Sequence, residues 1–425
     1  MCTGFTKNSA AANAIFGGGK PMNKRMIARM CLDKGTLANF LEIHRRFSPS
    51  PNYRLRNMVK CGLNAIKHDR LIRHEQSYLL NSFIPPLNSP AFLNIALQVP
   101  GEGPDFFDNH VQGKRLAPIS TYIAVTGKCR YNCWHCSAAS AGQSAGQKEL
   151  STPALIRIVQ KLQDLGVGII GFTGGEPLLR DDLEEIVAAV DRQKSMVLVF
   201  STGFNLTLER AAALKGAGLF GIALSLDSVR KERHDELRGY PGAYDQALNG
   251  IRNARQAGLY TMSQTVCTRE LMAEGEIFEL AEMLKGSGIH EMRIMEPLPC
   301  GRLSGPSSAL LSAEEQNQLK QLHITLNGDQ RYPKASVFPY FESAEQFGCG
   351  AGTQHSYVDA AGNFGPCDFL EDLRYGNLLT DDVREVWQKM HQASGGPKCS
   401  CLAKDPEQCN SALPKFYRLL GGIRP

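Results

Sequence analysis

Three cysteines, Cys129, Cys133 and Cys136, fall within the eight-residue stretch "CRYNCWHC". Three thiolates from one loop suit a soft metal centre. Structural zinc closes its site with four ligands, often as separated CxxC pairs. A four-iron cluster also takes four ligands. Here only three thiols are local, so a cluster held by them leaves one iron free for a reagent; zinc or buried thiols are the other readings. A second group contains Cys349, Cys367, Cys399, Cys401 and Cys409. Five thiols suffice for one four-thiolate cluster and not for two, so one is spare and the spacing does not say which. Zinc is again the alternative. The remaining five, Cys2, Cys31, Cys61, Cys267 and Cys300, are scattered and read as small buried hydrophobes.

The elements that must position these groups are legible as a pattern. Between 118 and 296 short apolar strands alternate with amphipathic helices: "TYIAV", "VGIIGF", "MVLVF", "FGIALSL", "YTMSQTV" and "HEMRIM". Thr152 as N-cap, Pro153 behind it and Gly166 at the end delimit one of the helices. Alternation of this kind predicts parallel βαβ units. Six of them make an α/β fold, a partial (β/α)6 TIM-like barrel, in which the loops after the strands share one rim. The cysteine loop, "TGGEP", "STGFN" and the "DS" after the fourth strand then converge. Residues 22–80 read as helical, broken at "SPSPNY" and ended by "FIPPLNSP". The expected division is a basic, mostly helical extension over 1–115, the barrel over 116–300, and a small C-terminal domain over 301–425.

Composition narrows the class. The chain has 425 residues, 43% apolar and 21% charged, as in a soluble globular protein of several domains. No run of about 18 apolar residues predicts a membrane span. The first twenty residues lack the charged and apolar regions of a signal peptide. A cytoplasmic location is expected, where grouped thiols more often bind metal than pair as disulfides. "GGGK" lacks the outer glycine and the Ser or Thr of a phosphate loop. Residues 20–75 hold 13 Lys or Arg against 4 Asp or Glu, a net +9 in a chain of net +5. Such a segment suits an anionic substrate, an acidic partner or an anionic membrane, with a plain solvated helical cap over the barrel as the other reading. No nucleic-acid partner is expected.

The Cys129-x3-Cys133-x2-Cys136 spacing after the first strand resembles the radical S-adenosylmethionine (SAM) superfamily. "GGEP", Gly174 to Pro177, "LSLDS", Leu224 to Ser228, and "HDELRGYPGAYDQAL" resemble it too. The resemblance implies that the three cysteines hold a [4Fe–4S] cluster with SAM on the open iron. It implies that Gly174, Gly175, Glu176 and Pro177 receive the methionine amino group, with Glu176 accepting from the ammonium. Ser201, Thr202, Ser225 and Asp227 would touch the SAM carboxylate or ribose, or else cap their own loops. His135 stands where the family usually has a larger aromatic, and could still pack on adenine. Cys349-x12-Gly362-x4-Cys367, with "YGNLLTDDVREVW" after it, resembles the SPASM and twitch domains, which bind auxiliary iron–sulfur clusters. The ending departs: Cys399-x-Cys401-x7-Cys409 replaces four late cysteines at regular gaps, so a reduced domain with one auxiliary cluster is expected. Asp368 stands where some of these enzymes place a general base, although backbone capping is the plainer role for a loop Asp.

The chemistry implied is that of an enzyme that reductively cleaves SAM and uses the 5′-deoxyadenosyl radical to take hydrogen from a substrate, fed by flavodoxin or ferredoxin under anaerobic conditions. A peptide or protein side chain is the first substrate expectation. A small molecule or lipid, such as an acidic tetrapyrrole or an isoprenoid chain, is the second. A non-catalytic iron–sulfur scaffold is the third, and it would have no use for "GGEP".

Overall fold

The computed structural model describes residues 24–139, 149–305, 307–370, 372–404 and 413–422. A short antiparallel hairpin, β1 (Ile72–His74) and β2 (Ser77–Leu79), precedes the main sheet. The six expected strands form as β3 (Ser120–Thr126), β4 (Ile169–Gly174), β5 (Met196–Ser201), β6 (Gly221–Ser225), β7 (Tyr260–Val266) and β8 (Glu291–Met295). They pair in parallel in chain order. Both faces are covered, which is why these strands read as nearly continuous apolar runs. Helices such as Thr152–Leu165 cover the outside with Leu155, Ile158, Val159 and Leu162, all fully buried.

The sheet does not stop at 300. β9 (Lys334–Val337) pairs in parallel with β8, and β10 (His355–Val358) pairs in parallel with β3. β11 (Asn363–Gly365) and β12 (Gly376–Asn377) add antiparallel beyond β10. The ten-stranded order is β12-β11-β10-β3-β4-β5-β6-β7-β8-β9. Strand edges left by an open barrel carry unpaired backbone groups, and the C-terminal residues supply partners for both edges. The boundary expected at 300 therefore falls inside one continuous sheet.

The N-terminal helices Lys24–Leu32, Lys34–Phe47 and Leu55–Ala65 match the expectation, with the break at the prolines. Asp33 caps the second by accepting from the Thr36 backbone. Ile43, Phe47, Tyr53, Phe106 and Phe107 form a separate core beneath them. Residues 72–79 are the hairpin rather than helix. Glu75 takes a left-handed backbone, φ 52, and reverses the chain. His74 packs against Phe220, Tyr260 and His290 at the amino ends of β6, β7 and β8. Leu79 joins Ile169, Leu198 and Met262 in a buried cluster. Burial inside the barrel overrides the weak local helix signal. A smaller correction concerns the helix at 152: Ser151 is its N-cap, and Thr152 is helical and bonds Asp182 through its hydroxyl.

Candidate active site at the carboxyl rim

Three neighbouring segments pin the cysteine loop after β3. Backbone N–H groups of Gly175 and Glu176 donate to the Thr126 and Lys128 carbonyls, each at 2.8 Å. Asn132 and Trp134 donate to the carbonyls of Arg238 and Leu237. These carbonyls end the helix Lys231–Arg238 and would otherwise lack partners. Arg302 donates to the Cys136 carbonyl at 3.1 Å. Cys133 is buried, Cys136 half-buried and Cys129 exposed. Arg238 Nη1 lies 3.8 Å from Cys133 Sγ. Three soft donors on one fixed loop, with a guanidinium beside one of them, fit a thiolate-held cluster of net negative charge.

The two glycines of "GGEP" are required by this suture. A Cβ on Gly174 would sit 2.2 Å from the Thr126 carbonyl oxygen, and one on Gly175 would sit 2.1 Å from that of Lys128. Gly174 also has φ 133, a conformation that side chains disfavour. Glu176 is buried, and both its oxygens are engaged within the protein. Oε1 accepts from the Leu178 backbone at 3.0 Å and from Ser201 Oγ at 2.6 Å. Oε2 accepts from the Thr202 backbone at 2.7 Å and its hydroxyl at 2.6 Å. Burial raises the Glu176 pKa against these bonds. The structure thus brings together Glu176, Ser201 and Thr202, expected separately as SAM contacts, as one latch between the loops after β4 and β5. Pro177, buried, opens the short turn beyond it.

Asp227, after β6, is also buried and held. Its Oδ1 accepts from the Val266 backbone at 2.9 Å, and its Oδ2 lies 2.7 Å from Arg238 Nη2. Burial opposes ionisation, but Arg238, His135 and His234 outweigh it and leave the carboxyl below its usual pKa. His135 has a pKa pushed down to about 4, first by burial and then by Arg238, and its Nδ1 is buried without a partner among the described residues. Ser225, at the end of β6, is half-buried and pairs in register with Gln264 of β7. Arg238 thus links the Asp227 carboxylate to the cysteine loop. It lies in the "HDELRGYPGAY" stretch, but nothing in its spacing announces that role.

The C-terminal cysteines converge only in part. Cys349 and Lys398 exchange backbone hydrogen bonds, at 2.7 and 3.1 Å. Interaction between the Cys349 and Cys401 thiols lowers the Cys349 pKa and raises that of Cys401. Cys349, Cys367 and Cys401 line one cavity, and three thiols lining the same space are a fitting start for an auxiliary cluster. Cys399 is half-buried, two residues before Cys401. Cys409 lies outside the described residues. Asp368 accepts from the Cys367 thiol at 3.5 Å, and its Oδ1 lies 3.5 Å from His355 Nε2. His355 Nδ1 is in turn 2.9 Å from Ser120 Oγ. His355 had no sequence signal; it follows a Gly-rich loop.

That cavity, about 600 Å³, is shared by the barrel, the C-terminal residues and the N-terminal helices. Tyr122, Phe200 and Arg293 line it from the barrel, and Asp368 from the other side. Arg293 is 1% exposed. It donates to Ser82 Oγ at 2.6 Å and Tyr122 OH at 3.3 Å, hydroxyls rather than carboxylates. Its guanidinium lies 4.8 to 5.0 Å from the rings of Phe83, Phe200 and Phe338, and its Nε has no partner among the described residues. Its sequence signal was a charged residue inside the apolar strand "EMRIM".

Residues 123–289 match the Radical SAM superfamily, and residues 349–411 match SPASM, an iron-sulfur cluster-binding domain. The AdoMet-dependent heme synthase of Nitratidesulfovibrio vulgaris is 29% identical over 298 residues, which cover 64% of this chain and 80% of that protein. The sporulation killing factor maturation protein SkfB of Bacillus subtilis is 27% identical over 325 residues, covering 74% and 77%. Among solved structures, Streptococcus suis SuiB bound to precursor peptide SuiA has a TM-score of 0.56 at 16% identity, over 67% of this chain and 68% of that one.

Proposed function

We propose that this chain, a radical SAM enzyme with a SPASM iron–sulfur domain, takes a hydrogen atom from a peptide or protein side chain held in the cavity that the barrel shares with the C-terminal cysteines. The observation that carries the reading is the cavity walled by the barrel on one side and by Cys367 and Asp368 on the other. The relative SkfB, a maturation protein, is similar over 74% of this chain, which supports a peptide. When bound, a reduced [4Fe–4S] cluster supplies the electron that cleaves SAM to methionine and a 5′-deoxyadenosyl radical.

The chain's own groups supply the rest. Cys129, Cys133 and Cys136 would hold that cluster, and Arg238 stabilises the charge beside Cys133. Cys349, Cys367, Cys401 and one of Cys399 or Cys409 would hold one auxiliary cluster. The Glu176 latch fixes the loops after β4 and β5, so that Gly174, Gly175, Ser201 and Thr202 would offer SAM a rigid surface, with Ser225, Asp227 and His135 as the neighbouring residues that would complete the site. Asp368 faces the cavity and accepts a proton from the substrate, oriented by His355. A low-potential donor such as flavodoxin or ferredoxin delivers electrons, in an anaerobic cytoplasm. A second reading is favoured by Arg293: a buried guanidinium ringed by phenylalanines suits a carboxylate on a large apolar small molecule, and the heme synthase relative is similar over 64% of the chain.

The test uses anaerobically reconstituted protein with SAM and dithionite. Candidate substrates are a short peptide encoded beside its gene and, separately, an iron tetrapyrrole carboxylate, each deuterated at carbon. Deuterium in 5′-deoxyadenosine with the peptide alone supports the first reading; deuterium with the tetrapyrrole alone replaces it by the second. Asp368→Asn is expected to keep forming 5′-deoxyadenosine while losing product. Unchanged product from that variant removes Asp368 from the chemistry.

A further inference from the structure

Among the described residues nine large apolar side chains stand exposed, and six of them, Leu32, Leu37, Leu41, Leu55, Val59 and Leu63, crowd into the three N-terminal helices, each at least half exposed. They are not scattered within those helices. In Lys34–Phe47 the exposed positions Lys34, Leu37, Ala38, Leu41 and Arg45 recur at helical spacing. In Leu55–Ala65 the exposed positions Leu55, Arg56, Val59, Lys60 and Leu63 do the same. Positions three and four apart share a helix face, so each helix turns an apolar stripe edged with cations to the outside.

The opposite faces of the same helices are also apolar. Phe40, Ile43 and Phe47 of the first, and Met58 and Cys61 of the second, line the 600 Å³ cavity. Packing onto the body therefore accounts for one face and leaves the other unexplained. Exposed apolar surface concentrated in one segment marks a contact site. The charge names the partner. Residues 20–75 carry a net +9, and among the described residues no helix is long and apolar enough to cross a membrane. A basic helix that offers leucines between lysines and arginines matches the headgroup region of an anionic bilayer, where the leucines enter the acyl boundary and the cations meet the phosphates.

We propose that the helices Lys34–Phe47 and Leu55–Ala65 dock this protein on an anionic lipid surface. The inference does not depend on which substrate the active site takes, since the exposed stripe and the cavity wall are different residues of the same helices.

The test is flotation of the full reconstituted chain with vesicles of phosphatidylcholine alone and of phosphatidylcholine mixed with phosphatidylglycerol. Expected is flotation with the mixed vesicles, weakened by salt, and little with the neutral ones. Arg56→Glu with Lys60→Glu lowers the partitioning roughly tenfold or more, given the attraction of about one kcal/mol for each basic residue near such a surface. Leu55→Glu, Val59→Glu and Leu63→Glu together abolish it. All these side chains are exposed, so iron content and elution volume should stay those of the unaltered protein. The proposal is overturned if the unaltered protein stays down with the mixed vesicles, or if the triple variant floats as well as it does. A dimer dispersed by the triple variant, without flotation of the parent, would make the stripe a self-association face and equally end the proposal.

Discussion

Arg238 joins two buried groups, the Asp227 carboxylate at 2.7 Å and the Cys133 sulfur at 3.8 Å. Removing one partner of a buried pair leaves the other charge without compensation, which costs more than the pair itself was worth. Arg238→Ala is therefore expected to destabilise the protein by about 3–5 kcal/mol, measured by denaturant unfolding, and to loosen the cysteine loop, measured as lost iron. Arg238→Lys keeps the charge but not the fork that reaches both groups, so an intermediate loss is expected. An Ala variant as stable as the parent would show that the Arg238–Asp227 pair does not contribute to stability. Glu176 is the second test at this scale. Glu176→Ala frees Ser201 and Thr202, and SAM affinity should fall about tenfold or more from the lost hydrogen bonds, with iron unchanged. Equal SAM affinity in that variant would mean that the latch does not shape the SAM surface.

At the scale of elements, the active rim is a set of loops fastened to one another by backbone. The loop after β4 lies so close to the cysteine loop that only glycine fits at 174 and 175. Gly175→Ala places a methyl 2.1 Å from the Lys128 carbonyl, and neither partner is a flexible side chain. The two loops must part, and the expected result is loss of SAM binding and of 5′-deoxyadenosine formation with the auxiliary iron retained. Parent-like SAM binding would mean that the suture yields without cost. The hairpin β1–β2 works at the other end. By filling the amino mouth of the barrel it leaves Ser82 where it meets Arg293, so the extension shapes the cavity from within as well as covering it.

For the molecule as a whole, the C-terminal domain is not an appendage. β9 and β10 flank the barrel sheet, and Cys349, Cys367 and Cys401 face the barrel's cavity. Two cysteine groups, each able to hold a four-iron cluster, predict ~8 iron per chain after anaerobic reconstitution. Replacing Cys129, Cys133 and Cys136 together by Ala should remove about half and leave the auxiliary absorption. Iron at the parent level in that variant, or zinc in its place, would sink the assignment.

The sequence by itself determined the barrel strands and the first cysteine group. Both are local: an apolar run between helices specifies a buried parallel strand, and three thiols within eight residues are near one another in any fold. "GGEP" was legible only through its resemblance to a family motif; that its two glycines are needed for close approach to the Thr126 and Lys128 carbonyls is a tertiary fact. What only the tertiary structure decided was long-range. The engagement of Glu176 by Ser201 and Thr202 spans 25 and 26 residues. The Arg238–Cys133 contact spans 105, and Arg293–Ser82 spans 211. No periodicity encodes which buried charge meets which partner at such distances. The hairpin at 72–79 escapes a local reading for the same reason, since a weakly helical stretch becomes strand by burial inside the barrel. The run of the sheet past 300 was not legible because the edges created by the barrel are completed by strands from the later chain, a demand that exists only once the barrel has formed.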